Sequence, residues 1–139
     1  MAIAQAMCTS FKQELMNEEH DLNSDTIKIA LFTSSATLNA TTTAYSATNE
    51  ISGTGYTAGG VTLTGGAIAT SGTTAYADFA DASWTSASFT ANGAVIYNSS
   101  ASNKAIVILA FGGDFTVTAG TFSVVFPAAD ASNAIIRLA

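Results

Sequence analysis

The sequence predicts a mainly β protein: a single antiparallel β-sandwich or barrel-like domain carrying one N-terminal α-helix. Three observations predict it. Short runs rich in Val, Ile, Phe and Thr recur along the chain between Gly, Asn and Ser turns, which is how strands joined by hairpins read. No helical crossover pattern lies between those runs, so the strands pair antiparallel and not as βαβ units. The one stretch with helical spacing stands at the beginning. A length of 139 residues suits one domain. A chain of that size buries roughly two thirds of its unfolded surface on folding, so it holds a core without disulfides or metal.

Residues 2–17 read as the helix. Ile3, Met7, Phe11 and Leu15 recur every four residues with Ala4 and Cys8 alongside, the spacing of one helical face. Two uses of that stripe stay open: packing on the domain's own sheet, or docking on a neighbouring subunit. Ile3, Met7, Phe11 and Leu15 are therefore the candidate assembly interface. Residues 1–24 form a helix-and-loop segment ahead of a β-sandwich at 25–139, the two making one structural unit.

In the β region, Ile27, Ile29 and Leu31 alternate with Lys28 and Ala30, predicting a half-buried strand. Residues 33–75 contain a single ionisable acid or base, Glu50, in a stretch dense in Thr, Ser, Ala and Gly. A linker or an ordered loop with short strands such as Val61–Thr64 both fit; the β-branched residues with Tyr45 and Tyr56 favour order. Beyond it, Ala75, Ala77 and Phe79 share a face, Trp84 and Phe89 flank a turn at Thr85–Ser86, and Ala94–Tyr97 form a strand. The apolar run from Lys104 to Phe111 predicts a strand covered on both faces, bounded by Gly112–Gly113. Phe122, Val124 and Phe126 make the next strand, which Pro127 ends, and Ile135–Leu138 closes the domain. The expectation is seven to nine strands in all.

Composition excludes several functions. Ten acidic residues face four cations, Lys12, Lys28, Lys104 and Arg137, which are scattered. Without a basic patch neither nucleic acid nor an anionic membrane is an expected partner. No run reaches the ~18 apolar residues of a membrane span. The first twenty residues lack a basic start and a continuous apolar stretch, so no signal peptide is expected. Charged residues make up 10% of the chain, against about 25% in ordinary soluble domains. A surface built from Thr, Ser, Ala and Gly packs readily against neighbours, and charge is what interface cores lack. A small extracellular β-domain has a similar composition.

No catalytic constellation is present. His20, the one histidine, lies in a polar loop beside Glu18, Glu19 and Asp21; it lacks an arranged nucleophile, and a solvated loop is the simpler account. Cys8 falls on the apolar side of the helix, where packing explains it. Asp21-Leu22-Asn23-Ser24-Asp25 opens like a calcium loop, but Thr26 and Phe32 stand where the glycine and the bidentate glutamate belong. Asp78 and Asp81 read as a surface turn. One Cys and one His cannot build a zinc site, and no lysine follows the glycines as a phosphate loop requires. The expectation is no catalytic residue, no metal and no cofactor.

The stretches AMCTSFKQELM (6–16), DTIKIALFTSSATLNATTTAYSATNEISGTGYTAGGVTLTG (25–65), FTANGAVIYNSS (89–100) and KAIVILAFGGDFTVTAGTFSVVFPAADASNAIIRLA (104–139) together resemble a family of small proteins encoded by tailed bacteriophages. The likeness spans nearly the whole chain and rests on overall pattern. It implies a virion location and a role in the particle, and leaves the station open between capsid surface, neck and tail. Other phage structural proteins, the major capsid protein first, are the expected partners, with assembly in the host cytoplasm. It carries no functional residues over.

Two functions follow as expectations. A capsid decoration or cement protein docks in many copies on a lattice, as a homo-oligomer. A tail, neck or fibre component, including a host-surface adhesion module, would instead display Tyr45, Tyr56, Tyr76 and Trp84 as exposed aromatic contacts for sugars; rim or core packing is the other account of those four. A cell-wall hydrolase ranks behind both.

Overall fold

The computed structural model describes residues 2–138, and within them the chain is mainly antiparallel β with two sheets and one short helix. The elements are β1 (Ala6–Met7), α1 (Thr9–Met16), β2 (Ile27–Phe32), β3 (Val61–Thr62), β4 (Ala67–Ser71), β5 (Thr74–Asp78), β6 (Ala82–Asn98), β7 (Lys104–Val124) and β8 (Ile136–Leu138). One sheet runs in the order β1-β7-β6-β2-β3 and the other β4-β5-β8. Eight strands among the described residues fall inside the expected range.

The helix is shorter than its spacing predicts. It begins at Thr9, and Ile3 and Met7 lie on extended chain. Ile3 bridges Leu38, while Ala6 and Met7 pair with Ile108 and Val107. The backbone supplies the reason. The amides of Ala4 and Cys8 donate to Leu38 and Ile106 carbonyls at 2.8 and 2.9 Å, so the chain at Leu38 and the edge of β7 together offer residues 2–8 backbone partners that a helix start would forgo. Helix propensity is a weak prior that such pairing overrides. Cys8 caps the helix without a side-chain hydrogen bond.

β6 and β7 form the spine. They pair from Asn98↔Lys104 through Ala82↔Val124, with register shifts at four places. The turn expected at Thr85–Ser86 is instead one of those irregularities, with Ser86 at φ 48° inside a continuous strand. Gly112–Gly113 likewise does not end the strand but sits within it. The ring centroids of Phe111 and Phe122 lie 6.1 Å apart, whereas eleven residues of straight strand span about 36 Å. The distal part of β7 therefore curls back on itself. Bulges bend a ribbon in this way.

The core follows from the apolar run. Ala105 to Leu109 are all buried, as a strand covered on both faces requires. Ile27, Ile29, Leu31, Val95, Ile96, Ile106 and Ile108 pack in one cluster with Cys8, Phe11, Ala36 and Ile51, so the N-terminal segment and the Thr-rich loop share the core with the strands. Gly60 shows how tightly that loop is laid down. It adopts φ +79°, and a Cβ there would stand 1.7 Å from the Ile29 carbonyl oxygen.

Candidate assembly site

The end of α1, the loop after it and the three-stranded sheet enclose a groove of about 220 Å³, lined by Leu15, His20, Leu22, Ile68, Tyr76 and Leu138 among others. Opposite residues in an antiparallel pair point to the same side. The pairs Ile68↔Ala77, Ala77↔Ile136 and Ala75↔Leu138 thus put Ile68, Ala75, Ala77, Ile136 and Leu138 on one face. The inner part of this face is covered: Ala77 and Ile136 are 4% and 3% exposed. The outer part is bare, with Ile68 at 53% and Leu138 at 49%. A second groove, on the curled part of β7, holds Phe111, Val117 and Phe122 beneath Phe115 and Val125; those last two are exposed large apolar residues. Residues 111–129 contain one ionisable group, Asp114, whose carboxylate accepts a hydrogen bond from Asn92.

The helix stripe does not form one outward surface. Phe11 is wholly buried, and Ile3, Met7 and Leu15 are half-buried against the core. Phe11 is therefore not available to a neighbour, while Leu15 reaches the first groove and Met7 lines a separate one with Gln5 and Pro127.

The four aromatics predicted to be exposed are also dispersed. Trp84 is buried among Tyr56, Phe89 and Phe122, with ring centroids 6.0–6.4 Å from its own. Its position opposite Phe122 on the curled ribbon puts it inside. Tyr45 and Tyr56 both donate to the Glu50 carboxylate at 2.6 Å, and the Gly59 amide donates to it at 2.7 Å. Tyr45 stacks on Tyr97, whose hydroxyl donates to the Gly59 carbonyl at 2.6 Å. Burial first, then the hydrogen bond to Glu50, pushes the Tyr45 and Tyr56 hydroxyls well above the ordinary phenol range. Glu50, the lone charge of its segment, is thus the anchor that holds the loop against β2, with the Leu31 amide donating to the Tyr56 hydroxyl at 3.0 Å. Tyr76 alone of the four borders the first groove.

His20 is not in a solvated loop. It is 8% exposed, beside an Asn98 that is fully buried. The Asn98 Oδ1 accepts from the amides of Ser100 and Ala101 at 2.9 and 3.1 Å. Its Nδ2 therefore faces Asp25 Oδ2 at 2.6 Å and His20 Nδ1 at 3.0 Å. That assigns Nδ1 as an acceptor and leaves the proton on Nε2, which donates to Glu14 Oε1 at 3.0 Å. Lys104 completes the chain of contacts, pairing with Glu19 and lying 3.5 Å from Glu14. Both imidazole nitrogens are engaged inside the protein, so this arrangement ties α1 to the turn after β6 rather than presenting an acid or base to a substrate.

Of the remaining candidates, Asp78 ends β5 half-buried with its Oδ1 lacking a hydrogen-bond partner, while the others are engaged. The Asp21 carboxylate accepts from the Asn23 amide and the Ser24 hydroxyl at 3.0 and 2.6 Å, while Asp25 is shared with the Asp21 amide and Asn98. Both Asp21 oxygens and Asp25 Oδ2 thus serve the loop's own donors and the Asn98 tie. Cys8 is buried, and burial, then the nearby Glu14 charge, pushes its thiol up to about 11. It is a packing residue. Asp81 accepts from the Phe126 amide at 2.9 Å, fastening the chain where it leaves β7.

Ile68, Leu138, Phe115 and Val125 were not singled out by sequence. Their alternation looked the same as that of buried strands, and only the layer opposite decides which is covered. No family model, curated protein or solved structure matches the chain.

Proposed function

We propose that the chain is a structural protein of a tailed-phage particle, without a catalytic role, acting as a decoration or cement subunit held by the major capsid protein. The observation that carries this reading is where the charges and the apolar groups stand. Glu14, His20, Asp25, Glu50 and Asp81 are engaged as internal ties, while Ile68, Phe115, Val125 and Leu138 face outward on two grooves. A domain with few charges, several of them spent on internal ties, that leaves large apolar side chains bare is arranged for contact with neighbours. The resemblance to phage proteins supplies the particle.

An adhesion module of a tail fibre is less well supported, because Tyr45 and Tyr56 are tied to Glu50 and Trp84 is buried. Mass-spectrometric counting of copies in purified particles of the encoding phage tests the proposal. A lattice-bound decoration protein is present in copies on the order of hundreds, set by capsid symmetry. A handful of copies moves it to neck, tail or fibre, and absence from particles removes it from the virion.

A further inference from the structure

We infer that the groove between α1, β4, β5 and β8 docks one large apolar side chain flanked by lysine or arginine, on a segment of a neighbouring protein. This deepens the reading of the chain as an assembly subunit and rests on it. The apolar part follows from the lining. Ile68 and Leu138 are half-exposed on the same face as the buried Ala77 and Ile136, so the sheet extends past the layer that covers it. About 220 Å³ leaves room for a single large side chain.

The basic flank follows from charge. Among the groove residues Asp21 is the one carboxylate, with no lysine or arginine beside it, and Glu18, exposed, stands three residues before it. The Ser24 hydroxyl, then the Asn23 amide, hold the Asp21 carboxyl below its ordinary range, so it stays ionised in the folded protein. Glu19, in the same loop, is already paired with Lys104. The cation nearest in sequence to Leu138, Arg137, pairs with Tyr76 in the register, on the side of the strand opposite Ile136 and Leu138, and donates to the Ala131 carbonyl at 3.3 Å. A second copy fits poorly, since each chain carries a net charge of −6 and would bring acid to acid. Complementary charge instead selects and steers a basic segment.

The test uses the full chain, ¹⁵N-labelled, titrated with three blocked pentapeptides: Gly-Lys-Leu-Lys-Gly, Gly-Glu-Leu-Glu-Gly and Gly-Lys-Ser-Lys-Gly. The first is expected to give saturable shifts at the amides of Ala75, Ala77 and Leu138. Asp21→Asn is expected to weaken it about threefold, the scale of one exposed charge pair, and Leu138→Ser about fivefold through lost apolar contact. Equal binding of the glutamate or serine peptide overturns the inference, as do shifts confined to residues 17–25. Concentration-dependent shifts at the same amides without peptide overturn it in favour of a second copy. Particles separate this failure from that of the wider reading. If Ile68→Ser/Leu138→Ser, changed only at exposed positions, enters virions as well as the parent chain, the groove is not the dock though the chain is still a subunit. If the parent chain is absent from virions, the wider reading fails.

Discussion

Replacing Glu50 by alanine is the perturbation that most directly tests how the Thr- and Gly-rich half of the chain is held. The carboxylate receives three donors, the Tyr45 and Tyr56 hydroxyls and the Gly59 amide, at 2.6, 2.6 and 2.7 Å. Gly59 is buried, so its amide would lose its partner where water does not replace it. Hydrogen bonds to a charged group contribute ~1.5–3 kcal/mol each, and a stranded buried donor costs ~1–3 kcal/mol. Both tyrosine hydroxyls can turn partly to solvent, so their share is discounted and the total is about 3–5 kcal/mol. Glu50→Gln keeps the shape and one acceptor, and is expected to cost about 1–2 kcal/mol. Urea unfolding followed by fluorescence reads the difference as a fall in midpoint at unchanged slope. A double-mutant cycle of Glu50→Gln with Tyr56→Phe should show coupling above ~0.5 kcal/mol, since the two groups touch. If Glu50→Ala unfolds within about 0.5 kcal/mol of the parent, or the cycle is additive, the anchor does not exist and the loop is held by packing alone.

Three further outcomes follow from the same contacts. Asn98→Ala should destabilise by about 3–5 kcal/mol in the same assay, because it strands the Ser100 and Ala101 amides and leaves Asp25 and His20 without their shared donor; a loss below about 1 kcal/mol would show the network to be dispensable. Cys8, with its thiol raised to about 11 by burial and Glu14, should resist iodoacetamide at pH 8 in the folded protein and react on unfolding; rapid native labelling would contradict its burial. Tyr45, Tyr56 and Tyr97 all have hydroxyls raised by burial, with Glu50 adding to the effect. Above about pH 10 the unfolded chain loses phenol protons that the folded chain keeps, so stability is full below that pH and falls as pH rises. Absorbance near 295 nm should therefore show these three ionising only with alkaline unfolding, and early ionisation of all four tyrosines would refute the hydrogen-bond pattern.

The limits of the sequence show most clearly in the N-terminal stripe. Ile3, Met7, Phe11 and Leu15 have a spacing that satisfies a helix, yet only Phe11 and Leu15 are helical. The β7 edge captured Met7 and the chain at Leu38 captured Ile3, through backbone bonds that side-chain spacing does not register. Glu50 was visible as an isolated charge, but its three donors come from Tyr45, Tyr56 and Gly59 on a loop whose path only the fold sets. Asn98 gave no signal, since a polar residue ahead of two serines reads as a turn whether or not it is buried.

By itself the sequence determined the class of the fold, most of its strands and the doubly covered run at 105–109, because alternation and β-branched composition report which residues avoid water along each strand. It also determined the scarcity of charge. Tertiary structure alone decided which apolar faces remained bare, that Trp84 lies inside and that His20 is a tie between α1 and the turn after β6. The physical reason is that burial depends on the layer packed opposite, brought there from distant sequence, and a strand's own pattern says that it has an apolar side without saying what covers it.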